Sequence, residues 1–264
     1  MRIFFIGDIV GRPGRKALRR LLPGVKNSYA PQLVVANVEN AASGFGLNEK
    51  VGREILESGV DVMTGGNHLW DRRGSEAYLE AEERLVRPAN YPDGTPGRRY
   101  HLTEVAGTRV AVLSLQGRVF MPPLDCPFRA LDSLLEELRS SADIFLLDFH
   151  GEATSEKKAM ALYADGRVSA VVGTHTHVPT ADECILPEGT AFVSDLGMTG
   201  PYDSVIGMDR ENVLAKFVSG LPHRFEVASG DPRLSGLIVD LDEESGKARF
   251  VQRVHERLVD VEEA

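Results

Sequence analysis

Hydrophobic residues in this chain fall into short unbroken runs, each closed by a glycine or a polar residue. The clearest stretches are residues 3–6, 33–36, 61–63 (opening on Asp61), 109–115 (opening on Arg109 and interrupted by Ser114), 144–147, 171–172 and 192–193. Apolar runs without alternation predict strands covered on both faces, the pattern of parallel sheets in α/β proteins. Helical spacing fills several of the gaps. Leu18, Leu21 and Leu22 share one face. Residues 48–58 form a second helix, with Asn48 as N-cap, Val51, Ile55 and Leu56 inward and Gly59 at the stop. Residues 75–81, 131–138 and 155–164 give three more. The stretch 72–107 is turn-rich outside its short helix and reads as an excursion near the mouth of a site. Residues 121–128 carry three prolines and read as loop. Residues 235–261 alternate with period two about a break at 242–247, which predicts an antiparallel hairpin at a sheet edge. The alternation of strands and helices predicts an α/β fold, and 264 residues suit a single domain over 1–264.

The residues that close these runs carry the candidate chemistry. Asp8 follows the first strand. Glu39 and Asn40 follow the second, and Asn67 and His68 the third. His150 closes a later strand, and Gly173-Thr174-His175-Thr176-His177 closes the next. In βα units of one sheet the carboxyl ends share an edge, where such folds keep their sites. In an extended segment His-x-His puts both rings on one face, able to serve two metals side by side or one metal twice. Two carboxylates buried together are costly unless paired or bound to a cation. Oxygen and imidazole donors without thiolate suit iron, manganese or zinc and leave the choice open. A carboxylate such as Glu39 can bridge two cations, and paired cations serve in-line displacement at phosphorus. Gly65 and Gly66 permit close backbone approach to a bound group. Trp70 reads as core, and Arg118 as a surface ion-pairing residue. His101, His223 and His255 fit no cluster. Gly7, Gly11 and Gly14 match no nucleotide-binding glycine loop.

Charge and cysteine usage narrow the class. A net charge of −9 argues against a partner made of duplex nucleic acid. It leaves a small phosphorylated substrate open, because a metal brings its own positive charge. Cys126 and Cys184 are far apart and outside any CxxC, the usage of free thiols in a reducing compartment. No run has the length of a membrane span or the form of a signal peptide, so a soluble cytoplasmic protein is expected.

Taken together, the blocks resemble a known family. Gly66-Asn67-His68 followed by Asp71, and Gly173-Thr174-His175-Thr176-His177, are similar to the GNH and GHxH blocks of the calcineurin-like metallophosphoesterases. Residues 7–14, 37–41 and 148–152 resemble the YmdB-like branch, and the match runs from Met1 to about Gly200. Asp8-Ile9-Val10 stands where the wider superfamily has Asp-x-His, and Asn37-Val38-Glu39-Asn40 where it has GDxxD. Both departures match that branch. The resemblance implies an α/β metallophosphoesterase-type β-sandwich of mixed sheets flanked by helices. It implies two divalent or trivalent metal ions, iron first, with manganese or zinc as alternatives. Asp8, Glu39, Asn40 and His177 would hold one ion. Glu39 would bridge to a second, completed by Asn67, His150 and His175. The implied activity is hydrolysis of 2′,3′-cyclic nucleotides by a homo-oligomer. His68, beside a proposed metal ligand without needing to be one, is expected to act as general acid on the leaving ribose oxygen. A phosphomonoesterase or nuclease on the same centre is the rival reaction. A regulatory nucleotide-binding protein and a purely structural metal site are the rival roles.

Overall fold

The structure is a computed structural model and describes residues 1–259. In chain order its elements are β1 (Arg2–Ile6), β2 (Asp8–Ile9), α1 (Gly11–Tyr29), β3 (Leu33–Asn37), α2 (Glu49–Glu57), β4 (Val62–Thr64), α3 (Ser75–Ala81), β5 (Leu85–Val86), β6 (Tyr100–Val105) and β7 (Thr108–Gln116). There follow α4 (Pro127–Leu138), β8 (Ile144–His150), α5 (Thr154–Ala164), β9 (Ala170–Thr174), β10 (Cys184–Ile185), β11 (Ala191–Val193), β12 (Met198–Asp203), α6 (Arg210–Ser219), β13 (Gly230–Leu241) and β14 (Ala248–Arg257).

The apolar runs build two mixed sheets. In the first, β1, β3, β4 and β5 lie side by side in parallel. The long β13 runs antiparallel to β1 and β12 on one side and to β14 on the other, and β2 joins at β12. In the second, β7, β8, β9 and β11 are parallel, with β6 and β10 antiparallel at the edges.

Alternate side chains of each strand enter different cores, which is why the runs are apolar throughout. Ile3, Phe5, Leu33 and Val35 face the second sheet, against Val112, Leu146 and Val172. Phe4, Ile6 and Val34 face outward to Leu18 and Leu22 of α1 and Ile55 of α2. Leu113, Leu147 and Val171 face α4 and α5, against Leu134 and Met160. Burying each such side chain contributes roughly 1.5–3 kcal/mol. The result is helix, sheet, sheet, helix, with the two inner faces interdigitating as in a sandwich.

Several expectations need correction. The site residues do not close strands of one sheet: Asp8, Glu39, Asn40 and Asn67 follow strands of the first sheet, and His150, His175 and His177 those of the second. Both sheets bring those ends to the same rim. Of the two strands of the predicted hairpin, β14 alone lies at a sheet edge, since β13 is paired on both sides, and Val261 of that hairpin lies outside the described residues. Pro127 and Phe128 are the first turn of α4 rather than loop, with proline where its missing N–H costs nothing. Residues 72–107 contain β5 and β6 as well as α3. Arg118 is exposed, and its backbone N–H rather than its guanidinium is held, by Glu156 at 3.0 Å. Trp70 packs half-buried against the core, and both cysteines are free and half-buried. Among the described residues no helix is long and apolar enough to cross a membrane.

Candidate metal centre

Seven side chains meet where the two sheets share a rim. The Nε2 atom of His150 has Glu39 Oε1, Asn67 Oδ1 and His175 Nδ1 each at 3.1 Å. Ligand atoms of Glu39, His150 and His175 all lie within 4.8 Å of one another. Beside them, His177 Nε2 stands 3.3 Å from Asn40 Oδ1 and 3.8 Å from Asp8 Oδ1. Asp8 ties the groups together, because its Oδ2 accepts the backbone N–H of His175 at 3.2 Å. The sequence-predicted ligands therefore come together in two neighbouring groups.

The far side of each ring decides what the near side can do. His150 Nδ1–H donates to Thr174 Oγ1 at 2.9 Å, and that hydroxyl donates to Asp148 Oδ1 at 2.6 Å. Asp148 Oδ2 is held by Thr64 Oγ1 at 2.5 Å and by Asn37 Nδ2 at 3.0 Å. His177 Nδ1–H donates to the Ile206 carbonyl at 2.8 Å, and His175 Nε2–H to Glu152 Oε2 at 3.2 Å. Asn40 Nδ2 donates to the Gly44 carbonyl at 3.0 Å, which turns Oδ1 inward. Each imidazole thus has its donor nitrogen fixed outside and its other nitrogen aimed at the centre, the arrangement that outer partners impose on metal-binding histidines.

Electrostatics and hydrogen-bond satisfaction agree that a cation fits. Burial pushes Asp8 up to about 6, opposed by His177 and His150. Its Oδ1 is buried with no hydrogen-bond partner, which is costly for a carboxylate oxygen. Burial opposes charge on Glu39 and on His150 as well, but each stabilises the other. Glu39 is held down at about 2 and His150 up at about 9. Burial and the neighbouring His150 charge lower His175 to about 3, so that ring is neutral. One proton on His150 Nε2 cannot serve three polar neighbours at 3.1 Å, whereas a cation in its place would take all of them as donors.

Backbone geometry is specialised here. His175 and His177 have φ of 100° and 65°, left-handed values uncommon outside glycine. They are therefore not an extended pair with both rings on one face: the bend sends His175 Nδ1 to one group and His177 Nε2 to the other. Gly66 is needed for a protein contact rather than for a bound group. A Cβ there would lie 2.0 Å from the His150 ring.

His68 takes a different position. Its backbone N–H donates to Glu39 Oε2 at 3.0 Å, while its ring Nδ1 lies 2.7 Å from Asp71 Oδ2. The ring packs edge-on to Phe45 at 5.1 Å and lines a cavity of about 570 Å³ over the centre. Glu39, Asn40, His175 and His177 also border that cavity. Ile206, Met208, Phe217 and Phe225 give the same cavity an apolar wall. Sequence reasoning missed this wall, and also Asp148, Thr174 and Asp195. A signal for Asp148 did exist: it lies two residues before His150 on one strand and hence on the same face.

The family model described as YmdB-like protein matches residues 4–254. A 2′,3′-cyclic-nucleotide 2′-phosphodiesterase of Bacillus subtilis is 49% identical over 254 residues, covering 96% of each chain. A crystal structure of a hypothetical protein from Thermus thermophilus is 47% identical and superposes with a TM-score of 0.92, over 97% of this chain and 99% of that one. A novel phosphatase from Mycoplasma pneumoniae is 33% identical with a TM-score of 0.93, over 97% of this chain and 93% of the other. A family match over nearly the whole length, with a relative at that identity, makes this chain a member of the YmdB-like protein family.

Proposed function

We propose that the chain is a metal-dependent phosphodiesterase that hydrolyses 2′,3′-cyclic nucleotides and similar small phosphodiesters. The observation that carries this reading is the convergence of three oriented imidazole nitrogens, two buried carboxylates and two amide oxygens beneath a nucleotide-sized cavity. The 49% identical Bacillus subtilis enzyme supports it by its activity.

Asp8, Asn40 and His177 would hold one ion, and Asn67, His150 and His175 a second. Glu39 bonds toward His150 and adjoins Asn40 in sequence, which suits a bridging carboxylate. Two bound cations, iron first with manganese or zinc as alternatives, would activate water as the nucleophile and offset charge on the phosphoryl oxygens. The remaining steps belong to the chain. His68 donates a proton to the leaving ribose oxygen, and Asp71 holds its ring in place. The backbone N–H of His68 fixes Glu39 Oε2, so the acid and the proposed bridging carboxylate are positioned by one residue. The apolar wall receives the base and excludes water from one side.

The deciding experiment is metal analysis of protein purified without chelator, paired with turnover of 2′,3′-cAMP. About two metals per chain and release of a nucleoside monophosphate are expected. Binding of the nucleotide without product release would overturn the enzymatic reading in favour of a regulatory one. Preference for p-nitrophenyl phosphate over its diester would favour a monoesterase.

A further inference from the structure

Residues 205–208 make a two-residue hairpin turn. Val205 and Met208 exchange both backbone hydrogen bonds, at 2.9 and 3.0 Å. The two residues between them, Ile206 and Gly207, have φ of 46° and 101°. Positive φ at both central positions marks the type I′ turn, which strongly favours asparagine, aspartate or glycine there. Gly207 obeys that preference and Ile206 breaks it. Among the described residues Ile206 is the only β-branched one with a positive φ, a backbone that is strained for a side chain branched at Cβ. Packing does not make up the difference, because Ile206 is 51% exposed.

The turn touches both the metal centre and the substrate wall. The Ile206 carbonyl accepts the Nδ1–H of His177 at 2.8 Å, so the strained residue itself sets the direction of a proposed ligand. Gly207 packs against Val10, where a Cβ would come within 2.9 Å of a methyl group. Val10 lies two residues after Asp8, a proposed ligand of the same ion. On the other side, Ile206 and Met208 line the cavity over the centre. The Gly207 carbonyl accepts the N–H of Ala228 and Met208 bridges Val227, which ties the turn to the segment that carries Phe225. A strained conformation persists only where its surroundings enforce it. The Ile206 side chain borders the cavity and is half in solvent, so whatever fills that side of the cavity acts on the turn.

We propose that Ile206 is a positioning residue that joins base recognition to the metal centre. A nucleobase seated against its side chain holds the turn in its left-handed form, and the Ile206 carbonyl then holds His177 toward the ion. This rests on the phosphodiesterase reading above, which supplies both the nucleotide and the ion. The sign follows from the histidine's outer partner. Losing such a partner lowers metal affinity about 10–100-fold, so steadying it raises affinity. By linkage, base and metal must strengthen each other's binding by the same factor.

The test measures manganese(II) affinity of the metal-free protein by competition with a chelator of known affinity, alone and with saturating adenosine or ribose. In the wild type adenosine should tighten one manganese-binding step by about fivefold or more, within the 5- to 150-fold range typical of coupled sites. Ribose, which has the same hydroxyls and no base, should give no gain. Adenosine should in turn bind more tightly, by the same factor, to the manganese-loaded protein. Ile206→Asn suits the turn and removes the apolar contact. It should bind manganese without adenosine at least as tightly as the wild type and lose the gain. Ile206→Leu keeps an apolar side chain over the cavity and should retain the gain. Manganese affinity indifferent to adenosine in the wild type overturns the proposal. So does an equal gain from ribose, or a full gain in Ile206→Asn. If 2′,3′-cAMP is not hydrolysed while adenosine still tightens manganese, the phosphodiesterase reading fails and the coupling through Ile206 stands.

Discussion

Lys157 has no exposed surface and donates to Asp195 Oδ2 across 2.7 Å. The same oxygen accepts the backbone N–H of Thr176 at 3.1 Å and its hydroxyl at 2.7 Å, while Oδ1 accepts the N–H of Gly197. Thr176 sits between His175 and His177, both of which have left-handed backbones. Each such conformation costs of order 1–3 kcal/mol and persists only where its surroundings enforce it. The buried pair is therefore a clamp on the loop that aims two imidazoles. Asp195→Asn should cost about 3–5 kcal/mol of stability, because it leaves the Lys157 ammonium buried without a counter-charge. Metal content should fall with it. Lys157→Met should cost less, since Thr176 and Gly197 still satisfy Asp195. Denaturant unfolding with metal analysis of the folded fraction checks both, and equal losses from the two variants would refute the clamp.

The chain from Asp148 through Thr174 to His150 gives a second prediction. Thr174→Val keeps the shape of the side chain and removes both the acceptor for His150 Nδ1–H and one donor to Asp148. Asp148 retains Thr64 and Asn37, so the fold should survive. Loss of such an outer partner typically lowers metal affinity about 10–100-fold. Competition against a chelator of known affinity measures it. An unchanged affinity would show that packing alone orients His150.

Loading the centre should also release protons. In the metal-free protein His150 is held up to about 9 by the buried Glu39 carboxylate, so it is charged at neutral pH. A metal takes the lone pair of its Nε2 and must displace that proton. The sign follows: affinity rises with pH up to about 9 and falls as acid restores the imidazolium. Below about 6, protonation of Asp8 steepens the fall. Calorimetric titration in buffers of different ionisation enthalpy should find about one proton released per centre near pH 7.5. A heat independent of buffer would contradict the geometry of His150.

How much of this was legible follows from which forces act locally. Asp8, Glu39, Asn67, His150 and His175 close apolar runs, so their shared rim could be read from strand ends alone. Which sheet each strand joins could not be read, because residues apolar on both faces carry no sign of which side meets a partner sheet. β12 contains Gly200 and Pro201 and looks like loop, as strands with those residues do. α6 escaped because only Val213 of it is buried, while Leu214, Phe217 and Val218 lie on the exposed side. The Lys157–Asp195 clamp joins residues 38 apart, and neither stands in a recognisable pattern.

His68 offers a clean separation of acid catalysis from metal binding. Its contact with Glu39 is made by the backbone N–H, which His68→Ala retains. Turnover of 2′,3′-cAMP should drop by about 10²–10⁴-fold with metal content unchanged. The loss should shrink for bis-p-nitrophenyl phosphate, whose leaving group needs no proton. Metal lost in step with activity would make His68 a ligand instead.

The apolar wall predicts how the base is held. Phe225 is half-buried beside the cavity, with the Lys216 ammonium 4.6 Å over its ring. A base laid against this wall would bury apolar surface without meeting a fixed set of hydrogen-bond partners, so purines and pyrimidines should both be accepted. Stacking on an aromatic side chain is worth about 1–3 kcal/mol by alanine substitution, or about five- to 150-fold in affinity. Phe225→Ala should therefore raise KM for 2′,3′-cAMP by about that factor and leave kcat within about threefold, because the ring is itself none of the groups that move the proton or hold the metals. Ribose 2′,3′-cyclic phosphate, which has no base, should show no change. A fall in kcat for both substrates would mean that Phe225 supports the centre itself, and the wall would lose its role as the seat of the base.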